Sequence, residues 1–331
     1  MTTVPFGVST APVQTLGAPF QVDVARWAEE FGYQSTWIAE ANATEGFAIL
    51  GASAIAAPSL GLGTGVLALQ LRTPPLAAMA AATLQSLAPD RDVFLGIGIS
   101  SPVVAGQWHG AQYGSRPVAQ MREYVALVRE CLTGDAVTFQ GDFYSVKRFR
   151  LGVRLNERTP NIVIGAMNPT MLKLAGEIAD GVLLNYLPAS HVPWSVEQIR
   201  AGGDATVYAY IHACVTDRDR YAEAARKDLF SYAVVDAYGD NFARAGFADD
   251  VTALRAAHAA RDRQGALAAI GDAMLDGIQI VGDTAHVRKA VQTYIDNGVQ
   301  VPIAFPCPWG EDRSATVRAT MAAAIGYEGA L

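Results

Sequence analysis

The hydrophobic and polar positions of this chain alternate between two periods. Short runs of apolar, often β-branched residues are separated by longer segments in which apolar residues recur at helical spacing. This alternation is typical of βα units and a parallel sheet. Because eight such units close into a barrel, the pattern predicts an α/β fold, a (β/α)8 TIM barrel. The predicted strands are residues 6–9, 35–39, 62–69, 93–99, 161–166, 181–186, 206–215 and 301–307.

The predicted helices lie between these strands and have recognisable ends. Prolines open the helix predicted at 74–86, where the first turn needs no N–H donor. Asp283 is placed to cap the helix at 284–297, and Gly298 follows its last residue. Two further helices are predicted, at residues 21–31 and 118–132.

Two stretches are longer than a simple connection between strand and helix. Residues 187–205 follow the sixth predicted strand, and residues 217–277 follow the seventh. Insertions after barrel strands lie on the carboxyl-terminal face, where substrates bind. We therefore expect both to cover the site of a single domain, residues 1–331. Aromatic residues in and beside them favour an apolar pocket wall: Tyr186, Trp194, Tyr232, Tyr238, Phe242 and Phe247.

Composition and charge disfavour several classes of function. The 331 residues are 51% hydrophobic with a net charge of −7, and the chain has no basic run. We therefore expect neither nucleic acid nor a membrane as a partner. Cys131, Cys214 and Cys307 are widely spaced, which predicts neither a disulfide framework nor a metal site. With no signal-peptide pattern at its start, the chain is expected to be cytoplasmic.

The second predicted strand ends in a carboxylate. The segment WIAE, residues 37–40, brings Glu40 to the barrel mouth. A carboxylate there can accept a hydrogen bond from a cofactor ring N–H or hold a polar substrate group. The alternative is a helix cap or a salt bridge between loops.

Glycines interrupt the third predicted strand at positions 63 and 65. Two glycines within a strand pattern indicate a bulge, or a place where a flat ligand approaches the backbone. A layer of small residues in the barrel interior explains them equally well.

The fourth predicted strand ends in two hydroxyl residues. Its glycines do not form a dinucleotide fingerprint, because the third glycine is missing and Pro102 interrupts the helix entry. Ser100 and Ser101 instead lie where a polar ligand can meet their hydroxyl and N–H groups. Farther along this loop, His109 is a candidate for hydrogen bonding or proton transfer, or is structural. The other histidines are assigned to the core or the surface.

The fifth predicted strand ends in small residues before a helix that opens with Pro169. Gly165, Ala166 and Met167 lie at this junction. Free N–H groups at the start of a helix accept phosphate or carboxylate without a basic side chain. The sequence therefore predicts an anion site here.

Taken together, these segments resemble the luciferase-like family, and within it the branch that uses the deazaflavin coenzyme F420 and is related to methylenetetrahydromethanopterin reductase. The matching stretches follow one another in family order over most of the chain. They are residues 35–41, 62–74, 82–110, 161–185 and 281–306.

The resemblance implies a set of ring and tail contacts. It implies a non-proline cis peptide between Gly65 and Val66 behind the deazaflavin ring, ring contacts at Glu40 and Ala41, and contacts near the ring at Ser100 and Ser101. It implies that residues 165–167 hold the ribityl-phosphate tail. Some relatives have a histidine where this chain has Ala41, and a tryptophan near Glu45, so the proton donor of the sugar-phosphate dehydrogenases is absent here.

The activity implied is hydride transfer between C5 of F420 and a small organic substrate, such as an enone, an imine, or an alcohol and its carbonyl. Glu40, Glu45 and His109 are the candidates for meeting the developing charge. The alternatives are an FMN-dependent monooxygenase and a non-catalytic flavin-binding relative. The resemblance also implies a homodimer.

Overall fold

The strands of the structure follow the predicted order closely. The computed structural model describes residues 4–330. Its strands are β1 (Gly7–Ser9), β2 (Ser35–Ile38), β3 (Gly61–Thr64), β4 (Leu67–Ala68), β5 (Val93–Gly98), β6 (Val137–Gln140), β7 (Ser145–Phe149), β8 (Asn161–Gly165), β9 (Gly181–Leu184), β10 (Thr206–Val215), β11 (Ile280–Gly282) and β12 (Val301–Pro306).

Eight of these strands form a closed parallel barrel, which confirms the predicted TIM barrel. Around the barrel the order is β1, β2, β3, β5, β8, β9, β10 and β12, and β12 pairs again with β1. Each barrel strand lies within or next to a segment that the sequence predicts.

Three features of the sheet differ from the prediction. The third predicted strand is not continuous, because Gly65 and Val66 interrupt it between β3 and β4. The antiparallel hairpin of β6 and β7 was not predicted, since its exposed strands lack a long apolar run. The short strand β11 extends the sheet outside β10 and was also missed.

The helices form a shell around the barrel and a group at one end. They are α1 (Ala18–Phe31), α2 (Gly46–Ala56), α3 (Pro74–Leu87), α4 (Pro117–Leu132), α5 (Pro169–Ile178), α6 (Val192–Arg200), α7 (Arg218–Ala233), α8 (Asp236–Phe242), α9 (Ala248–Ala259), α10 (Arg263–Ala268), α11 (Asp272–Ile278), α12 (Thr284–Asp296) and α13 (Arg313–Ile325). The helices predicted at 21–31, 74–86, 118–132 and 284–297 correspond to α1, α3, α4 and α12, and the helix predicted to open with Pro169 corresponds to α5. Within residues 4–330, no helix has the length and apolar character to cross a membrane.

The local signals at the helix ends act as expected. Gly32 follows α1 with φ +84°, a left-handed conformation that glycine adopts without steric cost. The Asp283 side chain accepts a hydrogen bond from the His286 N–H at 2.7 Å, which caps α12.

The two predicted insertions differ in structure. Helices α7–α11, which we call the roof, lie between β10 and α12 and occupy most of residues 217–277. Residues 187–205 contain a short 3-10 turn and α6, which packs beside α5. That either stretch covers a binding site stays a prediction.

Aromatic side chains fill the barrel interior below its mouth. Trp37 on β2 stacks on Phe94 of β5, with ring centroids 4.8 Å apart, and Tyr208 of β10 packs against both. Gly63 faces this layer, because a Cβ at this position would lie about 2.5 Å from the Trp37 indole ring. Of the two interpretations of the strand glycines, the interior layer is therefore correct for Gly63.

Candidate functional site

The interruption between β3 and β4 is a fixed backbone ledge at the barrel mouth. The Gly65–Val66 peptide is cis, as the resemblance implies. The Gly65 N–H donates to the Ile38 carbonyl at 2.6 Å, and the Gly65 carbonyl accepts from the Tyr210 hydroxyl at 2.7 Å. Hydrogen bonds from both neighbouring elements therefore hold the backbone in place.

Val66 is the side chain that this ledge presents to the mouth. It is partly exposed, whereas Gly65 and Leu67 beside it are buried. Two glycines leave room for it: a Cβ at Gly98 would lie 2.5 Å from the Val66 side chain, and one at Gly165 would lie 3.2 Å from it. Close approach of the Val66 side chain is thus the reason for glycine at positions 98 and 165, and Val66 itself stays partly exposed.

Glu40 lies beside the ledge and is held by two donors. Its backbone N–H faces the Val66 carbonyl at 3.4 Å. Its carboxylate accepts from the Gly46 N–H at 2.7 Å and from the Arg72 guanidinium at 3.0 Å. The Glu40 and Arg72 side chains are only 12% and 18% exposed, so this is a largely buried ion pair. Glu40 therefore makes the loop salt bridge of the alternative interpretation, beside the Gly65–Val66 ledge.

Glu45 has a mainly structural set of contacts. It caps α2 by accepting from the Ala48 N–H at 2.6 Å, and it also pairs with Arg72. Partial burial acts to raise the pKa of this carboxyl, but the Ala48 hydrogen bond and the Arg72 charge outweigh it, so the pKa is lowered. A proton donor works best with a pKa near the working pH, so Glu45 is better suited to fixing Arg72.

Sequence reasoning missed Arg72, although it lies at the centre of this cluster. Its only local signal is a single basic residue before the prolines that open α3. The guanidinium also lies 4.9 Å from the centre of the Phe47 ring, and the Tyr124 hydroxyl donates to the Arg72 carbonyl at 3.1 Å. Its partners come from three separate segments, which no sequence spacing reveals.

The loop after β5 closes over the same side of the mouth. Ser101 caps a π-helical segment, Pro102–Trp108, by accepting from the Val104 N–H at 3.1 Å, while Ser100 is partly exposed. The exposed His109 ring contacts the carbonyl of Ala41 through Nε2 at 2.5 Å. His109 therefore ties this loop to the loop that carries Glu40.

The predicted anion site differs from expectation in two ways. The Asn168 side chain caps α5 at the Met171 N–H, and the Ala166 N–H pairs with the Leu183 carbonyl, so fewer N–H groups are free than predicted. A basic side chain is also present, because Arg244 from the roof reaches the Met167 carbonyl at 3.5 Å. Arg244 lies far from Met167 in the sequence, so no local pattern indicates this contact.

The chain matches a known family over most of its length. The sequence pattern described as luciferase-like monooxygenase covers residues 1–300. The chain belongs to this family.

Individual relatives agree with this placement. The chain is 28% identical over 311 residues to 5,10-methylenetetrahydromethanopterin reductase of Archaeoglobus fulgidus, covering 88% of this chain and 90% of that one. The solved coenzyme F420-dependent tetrahydromethanopterin reductase of Methanopyrus kandleri superposes with a TM-score of 0.83 at 21% identity, covering 98% and 99% of the two chains. An F420-dependent secondary alcohol dehydrogenase, solved with an F420–acetone adduct, gives a TM-score of 0.72 at 19% identity, covering 98% and 99%.

In this luciferase-like chain, a polar pair also lies among aromatic rings below the roof. The His212 ring contacts the Asn185 side-chain oxygen through Nε2 at 2.8 Å. The Tyr186 ring lies 3.9 Å from the imidazole and the Phe305 ring 4.1 Å from it, between centroids. Burial lowers the pKa of His212 to about 3, so the imidazole is neutral. The sequence assigned His212 to core or surface, and only its tertiary neighbours single it out.

Proposed function

We propose that this chain is an F420-dependent oxidoreductase that transfers a hydride between deazaflavin C5 and a small organic substrate. The observation that carries the proposal is the partly exposed ledge at Val66, in a barrel whose relatives include F420-dependent reductases and dehydrogenases. When bound, F420 supplies a ring carbon that gives or accepts a hydride.

The residues around the ledge fit a flat, tricyclic group. Val66 offers an apolar surface, and the glycines at 98 and 165 keep the adjoining strand ends free of side chains. A Cβ on either glycine would displace Val66 into the space above it. In this proposal Val66 and Gly65 back the ring, Glu40 and Ala41 flank it, and Ser100 and Ser101 meet its polar edge.

The tail of the coenzyme carries negative charge, and the chain offers groups for it at the end of β8. Gly165, Ala166 and Met167 lie there, and Arg244 extends over Met167 from the roof. A guanidinium binds phosphate oxygens well, because its N–H donors form a planar fork. Arg244 therefore joins the residues proposed to hold the tail.

The protein must also hold or move a proton beside the reacting carbon. Of the three candidates, Glu45 is held as a carboxylate and His109 is engaged at Nε2 by the Ala41 carbonyl. Glu40 lies next to the ledge and is proposed to orient a ring N–H or the acceptor group. Arg72 holds the Glu40 carboxylate in one position.

Titration with each cofactor tests the proposal directly. We expect F420 to bind at least about tenfold more tightly than FMN, measured from the absorption and fluorescence of each cofactor. In Glu40→Gln, which keeps the size but loses the charge, turnover of an enone with reduced F420 should fall about hundredfold.

The matched control is Glu177→Gln, because Glu177 forms an exposed ion pair with Arg122 on the outer surface. This variant should keep the wild-type rate. Tighter binding of FMN would support the monooxygenase alternative, and binding of neither cofactor would refute the assignment.

We also propose that the protein forms a homodimer through helices α2 and α3. Neither helix contains a charged residue, although both lie on the outer shell. Large apolar side chains are exposed there, with Ile55 at 71%, Leu76 at 45% and Met79 at 46%. An uncharged apolar face meets a second copy of itself without repulsion, as a two-fold interface requires.

Charges on this face should separate the subunits. Leu76→Glu combined with Met79→Glu is expected to convert a dimer into a monomer, measured by light scattering after size exclusion. The control is Ala253→Glu with Ala256→Glu on the exposed side of α9, which adds the same charge elsewhere. A wild-type monomer, or a double variant that stays dimeric, would contradict this interface.

A further inference from the structure

The wall of the barrel opposite the ledge carries His212. Three strands separate β3 from β10 in either direction around the barrel, so the two strands face each other across it. Tyr208 and Tyr210 point into the interior, and Tyr210 reaches the Gly65 carbonyl. Side chains alternate along a strand, so His212 also points inward, one layer nearer the mouth. His212 therefore lies on the barrel wall opposite the ledge and nearer the mouth than Tyr210.

The imidazole of His212 has one nitrogen with a partner and one without. Nε2 lies 2.8 Å from the side-chain oxygen of Asn185, which only accepts, so Nε2 carries the proton. Nδ1 then holds a lone pair. Among residues 4–330, Nδ1 has no hydrogen-bond partner, and His212 is only 1% exposed, so bulk solvent does not supply one. Buried polar atoms in folded proteins are nearly always paired, so this acceptor needs a donor.

The surroundings hold the imidazole in a fixed orientation. Tyr186 packs on it with φ +48°, a left-handed backbone conformation that is uncommon outside glycine. The Tyr186 hydroxyl donates to Asp228 of α7 at 2.9 Å, and the Gln279 amide donates to the same carboxylate at 2.6 Å. The roof thus fixes Tyr186, and Tyr186 fixes His212. An uncommon backbone conformation that its neighbours enforce often marks a functional site.

We propose that Nδ1 of His212 accepts a hydrogen bond from the substrate, and that the substrate therefore carries a hydroxyl or N–H group on an otherwise apolar body. This inference rests on the proposed function, because it places the substrate between His212 and the ledge. The rings of Tyr186 and Phe305 pack against the imidazole, so the surroundings of Nδ1 are apolar and favour an apolar body. His212 acts as a positioning residue, since burial lowers the pKa of its imidazole to about 3 and so weak a base holds a donor without taking its proton.

Two probes that share a cyclohexyl ring and an oxygen atom test the inference. Cyclohexanol donates a hydrogen bond, and methoxycyclohexane cannot. We expect the wild-type protein with bound F420 to bind the alcohol about tenfold more tightly than the ether, the amount that one hydrogen bond contributes. In His212→Phe, which keeps an aromatic ring of similar size, both probes should bind equally. His191→Phe is the control, since His191 is a buried histidine stacked on Trp194 outside the barrel, and it should keep the preference.

A second measurement needs no substitution. In the ¹⁵N spectrum of histidine-labelled protein, an unprotonated Nδ1 resonance should move with cyclohexanol and stay in place with methoxycyclohexane. The inference is overturned if the wild type shows no preference for the alcohol, if the preference survives in His212→Phe, or if no Nδ1 resonance moves. Binding of F420 is measured separately, and the spectrum is also recorded without it, so failure of the proposed function is distinguished from failure of this inference.

Discussion

Gly65→Ala is expected to lose measurable binding of the deazaflavin and to be less stable than the wild type. A Cβ at this position would overlap the Tyr210 hydroxyl and approach the Leu183 side chain to 3.2 Å. Both neighbours are buried, so neither can move aside freely. Adding a methyl group to a packed interior costs about 1–3 kcal/mol, and relief of the overlap must shift the ledge that backs the ring. Urea unfolding and cofactor titration measure the two effects.

Two further variants show whether the Tyr210 contact is the cause. Gly65→Ala combined with Tyr210→Phe removes the overlapping hydroxyl and should recover part of the lost stability. Gly152→Ala, where an added Cβ would meet no atom of residues 4–330 within 4 Å, should behave like the wild type. If Gly65→Ala binds the coenzyme with wild-type affinity, the ledge is not the ring site.

Arg72→Met is expected to lower the free energy of unfolding by about 2 kcal/mol at neutral pH. It leaves the largely buried Glu40 carboxylate without its cation, and removing one partner of a fully buried pair costs about 3–5 kcal/mol. The Glu45 side chain is 49% exposed, so solvent screens most of its attraction to Arg72. The same variant should weaken coenzyme binding, because Arg72 positions Glu40.

The pH dependence of Arg72→Met follows from Glu45. In the wild type the pKa of Glu45 lies below its ordinary value of 4.5. The stabilisation from this group is therefore present above that value and is lost as the pH falls through the lowered pKa. The difference in stability between the wild type and Arg72→Met should thus be largest near neutral pH and shrink below 4.5.

An exposed ion pair provides the control for this experiment. Arg26 pairs with Asp23 on α1, with side chains 56% and 45% exposed. Arg26→Met should change the free energy of unfolding by less than about 1 kcal/mol at any of these pH values. Equal losses in the two variants would mean that the Arg72 cluster contributes no more than an ordinary surface pair.

Residues that act on a distant segment of the chain carry no local signal in the sequence. Glu40 was found because a carboxylate directly follows a buried strand. Arg244 and Tyr210 were not, because each acts on a segment that is distant in sequence: Arg244 on Met167, and Tyr210 on Gly65. Their own neighbours in the chain give no sign of these contacts.

The sequence by itself determined the barrel, since each of its eight strands lies within or next to an apolar run that the sequence predicts. Apolar runs define the buried strands, and caps such as Asp283 and glycines such as Gly32 end the helices through contacts within a few residues. The resemblance to the luciferase-like family likewise depends on short segments in a fixed order.

Only the tertiary structure decided which contacts the residues at the mouth of that barrel make. It separated the roles of Gly63 and Gly65, made Arg72 the partner of two carboxylates, and gave Nδ1 of His212 no donor from residues 4–330. The physical reason is that closing the barrel brings β3 and β10 into contact across its interior. The strength of a hydrogen bond or an ion pair depends on the neighbouring groups and on their burial. The spacing of residues along the chain determines neither of these.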